Sequence, residues 1–317
     1  MMKVAVIGTG SFGKEHARIY AQSAKAQLVA VCDVNPVNGM PVAEAYDVPL
    51  VADFRELVGK VDAVSLAVPT VAHREIACEL LEAGIAVLVE KPIARTLEEA
   101  DEMIAAARRG NAVLQVSHLE RFNPAVAAAS QIATRPLFFE AHRLSVFTPR
   151  SLDIDVVTDL MIHDIDVVLS LVGSEVAEIR AAGVPILTPK VDIANARVEF
   201  ANGCVANLTA SRVSAERVRK IRFFQPRQYI SIDYYAQEAS VVSVSQQSGK
   251  PDFAARMLPV ERDEPLRVEI EFFLDAVAGA PVKTTGAEAR RALALALGIA
   301  EKIAEHAERA GVANSKL

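Results

Sequence analysis

The chain has 317 residues, 51% of them hydrophobic and 23% charged, which is ordinary folded material with length enough for two domains and excludes a disordered chain. The formal net charge of −6 and a pI near 5.6 exclude general affinity for nucleic acid or an anionic membrane surface, so an anionic ligand must be held by local cations. Cys32, Cys78 and Cys204 are scattered and lack CxxC spacing, which excludes a disulfide framework and a cysteine zinc site; with no signal peptide or membrane-spanning run expected, the cytoplasm is the expected compartment.

In chain order, Lys3–Ile7 is a branched apolar run suited to a central parallel strand. Gly8-Thr9-Gly10-Ser11-Phe12-Gly13 follows, then a helical stretch through Tyr20. In this strand–turn–helix unit Gly8 permits the tight turn, Gly10 lets a pyrophosphate approach the backbone, and Gly13 lets the helix pack closely on the strand. The helix N-terminus, beginning at Ser11 and Phe12, then faces the phosphates. A second apolar strand, Leu28–Cys32, ends in Asp33 about twenty residues after Gly13, where an acid meets the adenosine ribose. A carboxylate there accepts the 2′-hydroxyl and repels a 2′-phosphate, and no arginine follows in Val34-Asn35-Pro36-Val37, so NAD is favoured over NADP.

The rhythm continues with a strand at Ala63–Val68, a helix over 71–83, a strand at Ala86–Glu90, a helix over 96–109 and a strand at Ala112–Val116. Alternation of this kind predicts a doubly wound parallel sheet, an NAD-binding Rossmann domain over residues 1–118. After Ser117 a helix starts near Pro124, and strand candidates follow at 137–147, 176–184, 193–200, 204–212, 218–225, 228–234 and 238–244. Most lack the intervening helices that parallel connections need, which predicts an α+β domain over 119–317 on a largely antiparallel open sheet. Helices over 265–278 and 286–309 close it, and Ala313–Leu317 is expected to fray.

Three residues stand out chemically. Lys91 follows an apolar strand at the carboxyl end of the sheet, where open α/β folds bind ligands, and Pro92 keeps it out of helical geometry. A surface lysine paired with Glu90 is the plainer reading. Asp159 and His163 are four apart and Asp166 three further, one face of a helix whose remainder is apolar. A carboxylate and an imidazole in such a segment carry a desolvation cost that packing alone does not require. Acid–base work is one explanation; a metal site or a satisfied core histidine are the others. Arg121 and Asn123 lie just past the last strand of the first domain, Arg121 able to hold a diphosphate and Asn123 equally a helix cap before Pro124. The cluster Arg212, Arg217, Arg219, Lys220 and Arg222 reads first as a solvated or subunit face and second as a phosphate site.

The glycine fingerprint, Pro69-Thr70 with His73, Glu90-Lys91-Pro92 and Asp159-Leu160-Met161-Ile162-His163 with Asp166 beyond occur together and in order. By these motifs the chain resembles the Gfo/Idh/MocA oxidoreductase family over essentially its whole length. Within it, His118–Pro124 and Val156–Asp166 are most similar to the UDP-N-acetylglucosamine 3-dehydrogenase branch. The chain departs from the commoner pattern in having Ile154 to Val157 where a glycine pair usually precedes the aspartate. The resemblance implies NAD contacted by Gly8, Gly10, Ser11, Phe12, Gly13, Asp33, Pro69, Thr70, His73, Glu90 and Lys91, and a cis Lys91–Pro92 bond. It implies catalysis by Lys91, Asp159 and His163, no metal, and substrate contacts from Lys91, His118, Arg121, Asn123, Asp159 and His163. The expected reaction is oxidation of the 3-hydroxyl of UDP-N-acetylglucosamine to the 3-keto sugar, by a homo-oligomer (dimer or tetramer), for amino sugars of lipid A or another surface glycan. A free-polyol dehydrogenase and a non-catalytic dinucleotide sensor are the alternatives.

Overall fold

The computed structural model describes residues 1–148, 154–247 and 250–311; the end expected to fray lies outside them. The elements are β1 (Met2–Ile7), α1 (Ser11–Gln22), β2 (Ala26–Cys32), α2 (Pro36–Tyr46), β3 (Leu50–Val51), β4 (Ala63–Leu66), α3 (His73–Glu82), β5 (Ala86–Glu90), α4 (Leu97–Arg109) and β6 (Leu114–Ser117). There follow α5 (Pro124–Ser130), β7 (Phe138–Leu144), α6 (Ile162–Val172), β8 (Val176–Val184), β9 (Ile193–Phe200), β10 (Val205–Ser211), β11 (Val218–Gln225), β12 (Gln228–Asp233), β13 (Glu238–Gln247), β14 (Lys250–Met257), α7 (Pro265–Val277) and α8 (Gly286–Arg309).

The chain divides into two compact units, Met1–Leu119 with Glu264–Arg290, and Glu120–Asp263 with Arg291–Leu317. In the first, six strands in the order β3-β2-β1-β4-β5-β6 are all parallel, the doubly wound sheet the alternation predicts. The residues of β1, β4 and β5 are almost entirely buried, as strands covered on both faces must be. Helix α2 and strand β3 go beyond the sequence reading, because Gly39 and Pro41 interrupt any helical pattern. What forms α2 is its start: the Asn35 side chain accepts from Val37 N–H, and Pro36 has no N–H to leave unpaired.

The second unit carries an eight-stranded sheet, β14-β13-β12-β11-β7-β10-β9-β8, antiparallel except where β7 and β10 run parallel. Phe139 and Phe223 face each other across β7 and β11, ring centroids 5.4 Å apart. With Ile221 and Leu208 they pack against Ile165 of α6 and Ile299 of α8. Strand β14 has no alternation to announce it, and it includes Pro251; an edge strand tolerates that missing donor.

The expectation of one domain over 119–317 is corrected here. Helix α7 returns to the first unit, where Ile270, Phe273 and Leu274 pack with Val4, Ile19, Tyr20 and Val31. Its apolar stripe shows that it must cover a sheet but not which one. Phe273 is fully buried, so Phe273→Ala is expected to cost about 3–5 kcal/mol in urea unfolding, the range for large core truncations. A loss below about 1 kcal/mol would show that α7 is not part of that core.

Candidate active site

The glycine loop joins β1 to α1 and is set by contact distances. Gly8 has φ +84°, and a Cβ there would meet the Ala67 carbonyl oxygen at 2.5 Å. A Cβ on Gly13 would sit 1.8 Å from the Gly8 carbonyl oxygen, so only glycine lets α1 lie this close. At Gly10 nothing stands within 4 Å of the Cβ position. Gly10 is the N-cap of α1 with no side chain capping the helix, so the first N–H groups face open space beside exposed Ser11 and Phe12. Opposite, Thr9 donates to Asp33 Oδ2 from its backbone N (2.8 Å) and its hydroxyl (2.7 Å), and Asn35 N donates to Oδ1 at 2.8 Å. Oδ2 is thereby filled, whereas Oδ1 keeps a lone pair for a ribose hydroxyl. An open helix start for the pyrophosphate and a fixed acid for the ribose fit a dinucleotide.

At the carboxyl end of β5, the Lys91–Pro92 peptide is cis and Lys91 is half-buried. Exposed Pro69 and half-buried Thr70 open a short 3-10 turn at the same edge, after β4. His73, expected either at the cofactor or in a capping or packing role, is 1% exposed, with Nε2 2.9 Å from the Val68 carbonyl and Nδ1 3.1 and 3.3 Å from those of Pro92 and Ile93, which favours packing. Burial lowers its pKa below 6.5 despite those acceptors, and the ring serves to pin the loop after Lys91. Glu90, also expected at the cofactor, is partly buried, with Oε1 3.1 Å from His16 Nε2. Burial alone would raise its pKa, but the hydrogen bond with His16 and the charges of His16 and Lys91 outweigh it, and the carboxyl lies below its ordinary 4.5. His118 is buried at 2% exposure beside β6.

In the second unit, Asp159 sits in a π-helical turn, Val157–Met161, and His163 in the first turn of α6. Their four-residue spacing therefore does not run along one unbroken α-helix, which corrects the single-face expectation. Both are half-buried. Asp155 anchors the turn, accepting from Val157 N at 2.8 Å and from Thr158 N at 3.0 Å. Asp166 is buried and pairs with Arg121, Nη1 to Oδ1 3.5 Å. Of the two readings of Asn123 the helix cap is present: it caps α5 by accepting from Ala125 N and donates to the Tyr234 carbonyl at 3.0 Å, 2% exposed. Around it, Arg143 grips Asp164 with two bonds of 2.8 and 3.0 Å and Glu120 with one of 3.0 Å. The basic cluster disperses: Arg212 is buried and donates to the Ile154 carbonyl at 2.6 Å, Lys220 pairs with Asp233 and Arg222 with Glu140. Arg217 and Arg219 stay exposed.

Two residues at this site escaped the sequence reading, Thr9, which clamps Asp33, and His16, which holds Glu90. The signal for His16 was an imidazole three residues past Gly13, where the helix already faces the sheet. Among the described residues no group of three or more His, Cys, Asp or Glu side chains could hold a metal ion. No helix there is long and apolar enough to cross a membrane.

Residues 2–118 match the family described as oxidoreductase family, NAD-binding Rossmann fold, and residues 98–230 match the GFO/IDH/MocA C-terminal domain. UDP-N-acetylglucosamine 3-dehydrogenase of Acidithiobacillus ferrooxidans is 39% identical over 305 residues, 93% of this chain and 95% of that protein. The chain belongs to the Gfo/Idh/MocA family. The solved structure of the Acidithiobacillus enzyme superposes with a TM-score of 0.89 at 38% identity, covering 95% of this chain and 97% of that one. Levoglucosan dehydrogenase, solved with NADH and levoglucosan, has the same fold, with a TM-score of 0.85 at 23% identity over 96% of this chain and 97% of its own. Inositol 2-dehydrogenase 1 of Saccharopolyspora erythraea is 34% identical over 194 residues, 56% of each chain.

The NAD-binding Rossmann domain of this family member makes Asp33 the residue to test. Asp33→Ala removes a charged acceptor, and NAD binding is expected to weaken about 10-fold or more while the margin over NADP narrows. Calorimetric titration of both dinucleotides measures it, and equal affinity of the wild type for NADP and NAD would overturn the ribose assignment.

Proposed function

We propose that the protein oxidises the 3-hydroxyl of UDP-N-acetylglucosamine to the 3-keto sugar with NAD. The observation that carries this is the 39% identity to a dehydrogenase of that substrate over nearly the full length of both chains. NAD supplies the hydride acceptor. Asp33 and the open start of α1 hold its ribose and phosphates, Lys91 takes the proton of the hydroxyl under oxidation, and His163, supported by Asp159, is the second proton-handling group. Arg121 is the cation proposed for the diphosphate, its pairing with Asp166 fixing where the guanidinium stands. The product would supply an aminotransferase making amino sugars for lipid A or another surface glycan, in the cytoplasm and from a homo-oligomer.

Binding energy from a held diphosphate helps orient the sugar, so free N-acetylglucosamine should lose turnover as well as affinity. NADH absorbance is followed with UDP-N-acetylglucosamine, N-acetylglucosamine and myo-inositol, with an aminotransferase coupled to draw off the keto sugar. The sugar nucleotide is expected to be turned over fastest; an equal or better rate with myo-inositol would replace this reading with a polyol dehydrogenase. Lys91→Ala and His163→Ala should each cut turnover by roughly 10² or more with NAD affinity nearly unchanged, the scale of general acid–base groups.

A further inference from the structure

Helix α1 buries two polar side chains one turn apart on the face it turns to the sheet, His16 and Tyr20. Tyr20 Oη lies 2.8 Å from Ser65 Oγ, which lies 2.8 Å from His16 Nδ1, and His16 Nε2 lies 3.1 Å from Glu90 Oε1. His16 is 1% exposed, and Tyr20 and Ser65 are wholly buried. This line of contacts joins α1, β4 and the end of β5 within the first unit, and it stops one residue short of Lys91.

Chemistry gives the line a direction. An ionised Glu90 can only accept, so His16 donates to it from Nε2. Nδ1 meets the Ser65 hydroxyl, accepting from it when the ring is neutral and donating to it when the ring carries charge, and the Ser65 oxygen in either case accepts from the Tyr20 phenol, kept protonated by burial. Tyr20 is sealed from solvent, so the line is no path for protons out of the site; what it can do is fix the carboxylate at its far end. Three apolar side chains would pack α1 on β4 without burying polar groups, so packing alone does not call for this set.

We propose that His16 is a positioning residue for Lys91: it holds the Glu90 carboxylate inside the domain and so prevents it from folding onto the neighbouring ammonium. The proposal rests on the reading of Lys91 as a proton-transfer group. Glu90 and Lys91 are adjacent, and the lysine charge already acts on the carboxyl. Released from His16 and left with Ser117 as its side-chain partner, the carboxylate would be free to swing toward that ammonium and draw it away from a substrate hydroxyl, a misplacement that lowers turnover without touching the dinucleotide cradle.

Two substitutions separate this from a merely structural role. H16N can keep a partner for Ser65 but is too short to reach Glu90, whereas H16Q puts an amide nitrogen near the position of Nε2. With UDP-N-acetylglucosamine and NAD, or myo-inositol if the wild type prefers it, H16N is expected to lose about 10-fold or more in kcat. KM and NAD affinity should stay within about twofold, and H16Q should recover most of the rate. In E90Q there is no charge left to swing, so adding H16N to E90Q should cost little more, whereas independent structural losses would multiply. Wild-type kcat in H16N, or a double mutant as poor as the product of the singles, overturns the proposal. If H16N does not fold, S65A loosens the ring from its other side and should lose kcat several-fold with NAD binding kept; unchanged kcat there overturns it equally. Full turnover in K91A would instead sink the reading of Lys91, whereas an inactive K91A beside a fully active H16N sinks only the role of His16.

Discussion

Helix α1 lies so close to β1 that a single methyl group on Gly13 would sit 1.8 Å from the carbonyl oxygen of Gly8. Much of the first unit depends on that approach. It fixes where the helix begins, and hence where its unpaired N–H groups point, over a Gly10 with nothing within 4 Å of its Cβ position. The same approach brings His16 and Tyr20 down onto Ser65, so one packing constraint both builds the anion-binding end of the helix and supports the strand end that carries Lys91.

In the second unit the organising element is ionic. Arg143, 2% exposed, lies between Asp164 and Glu120 and over the ring of Tyr234, its guanidinium carbon 5.0 Å from the ring centroid. A well-packed apolar trio could be as stable, since desolvation consumes much of what such pairs gain. The ions add direction: a bidentate grip ties β7 to α6 at the residue after His163, and the third bond ties β7 to the residue before Arg121. The two side chains proposed for chemistry and anion binding in this unit thus flank fixed anchors.

The parallel sheet was legible because a buried strand is almost wholly apolar and a glycine fingerprint has fixed offsets, so β1, Gly8, Gly13 and Asp33 could be placed from spacing alone. Most antiparallel strands showed equally, as runs without helices between them. Partners were not legible. The stripe of α7 does not say which core it enters, and nothing in the order of residues says that Asn123 spends its amide on Tyr234, that His73 faces backbone carbonyls, or that Glu90 turns inward to His16. A π turn at Val157–Met161 was equally out of reach, because its residues read as an ordinary apolar helix.

The central claim is hydride transfer from one carbon of one substrate, and isotope transfer tests it most directly. UDP-N-acetylglucosamine carrying deuterium at C3 is incubated with the protein and NAD, and the reduced dinucleotide is weighed by mass spectrometry. The account predicts one deuterium on the nicotinamide and none left at C3 of the keto product. Reduced dinucleotide without the label, or none formed from the sugar nucleotide while a free polyol reduces NAD readily, would contradict it.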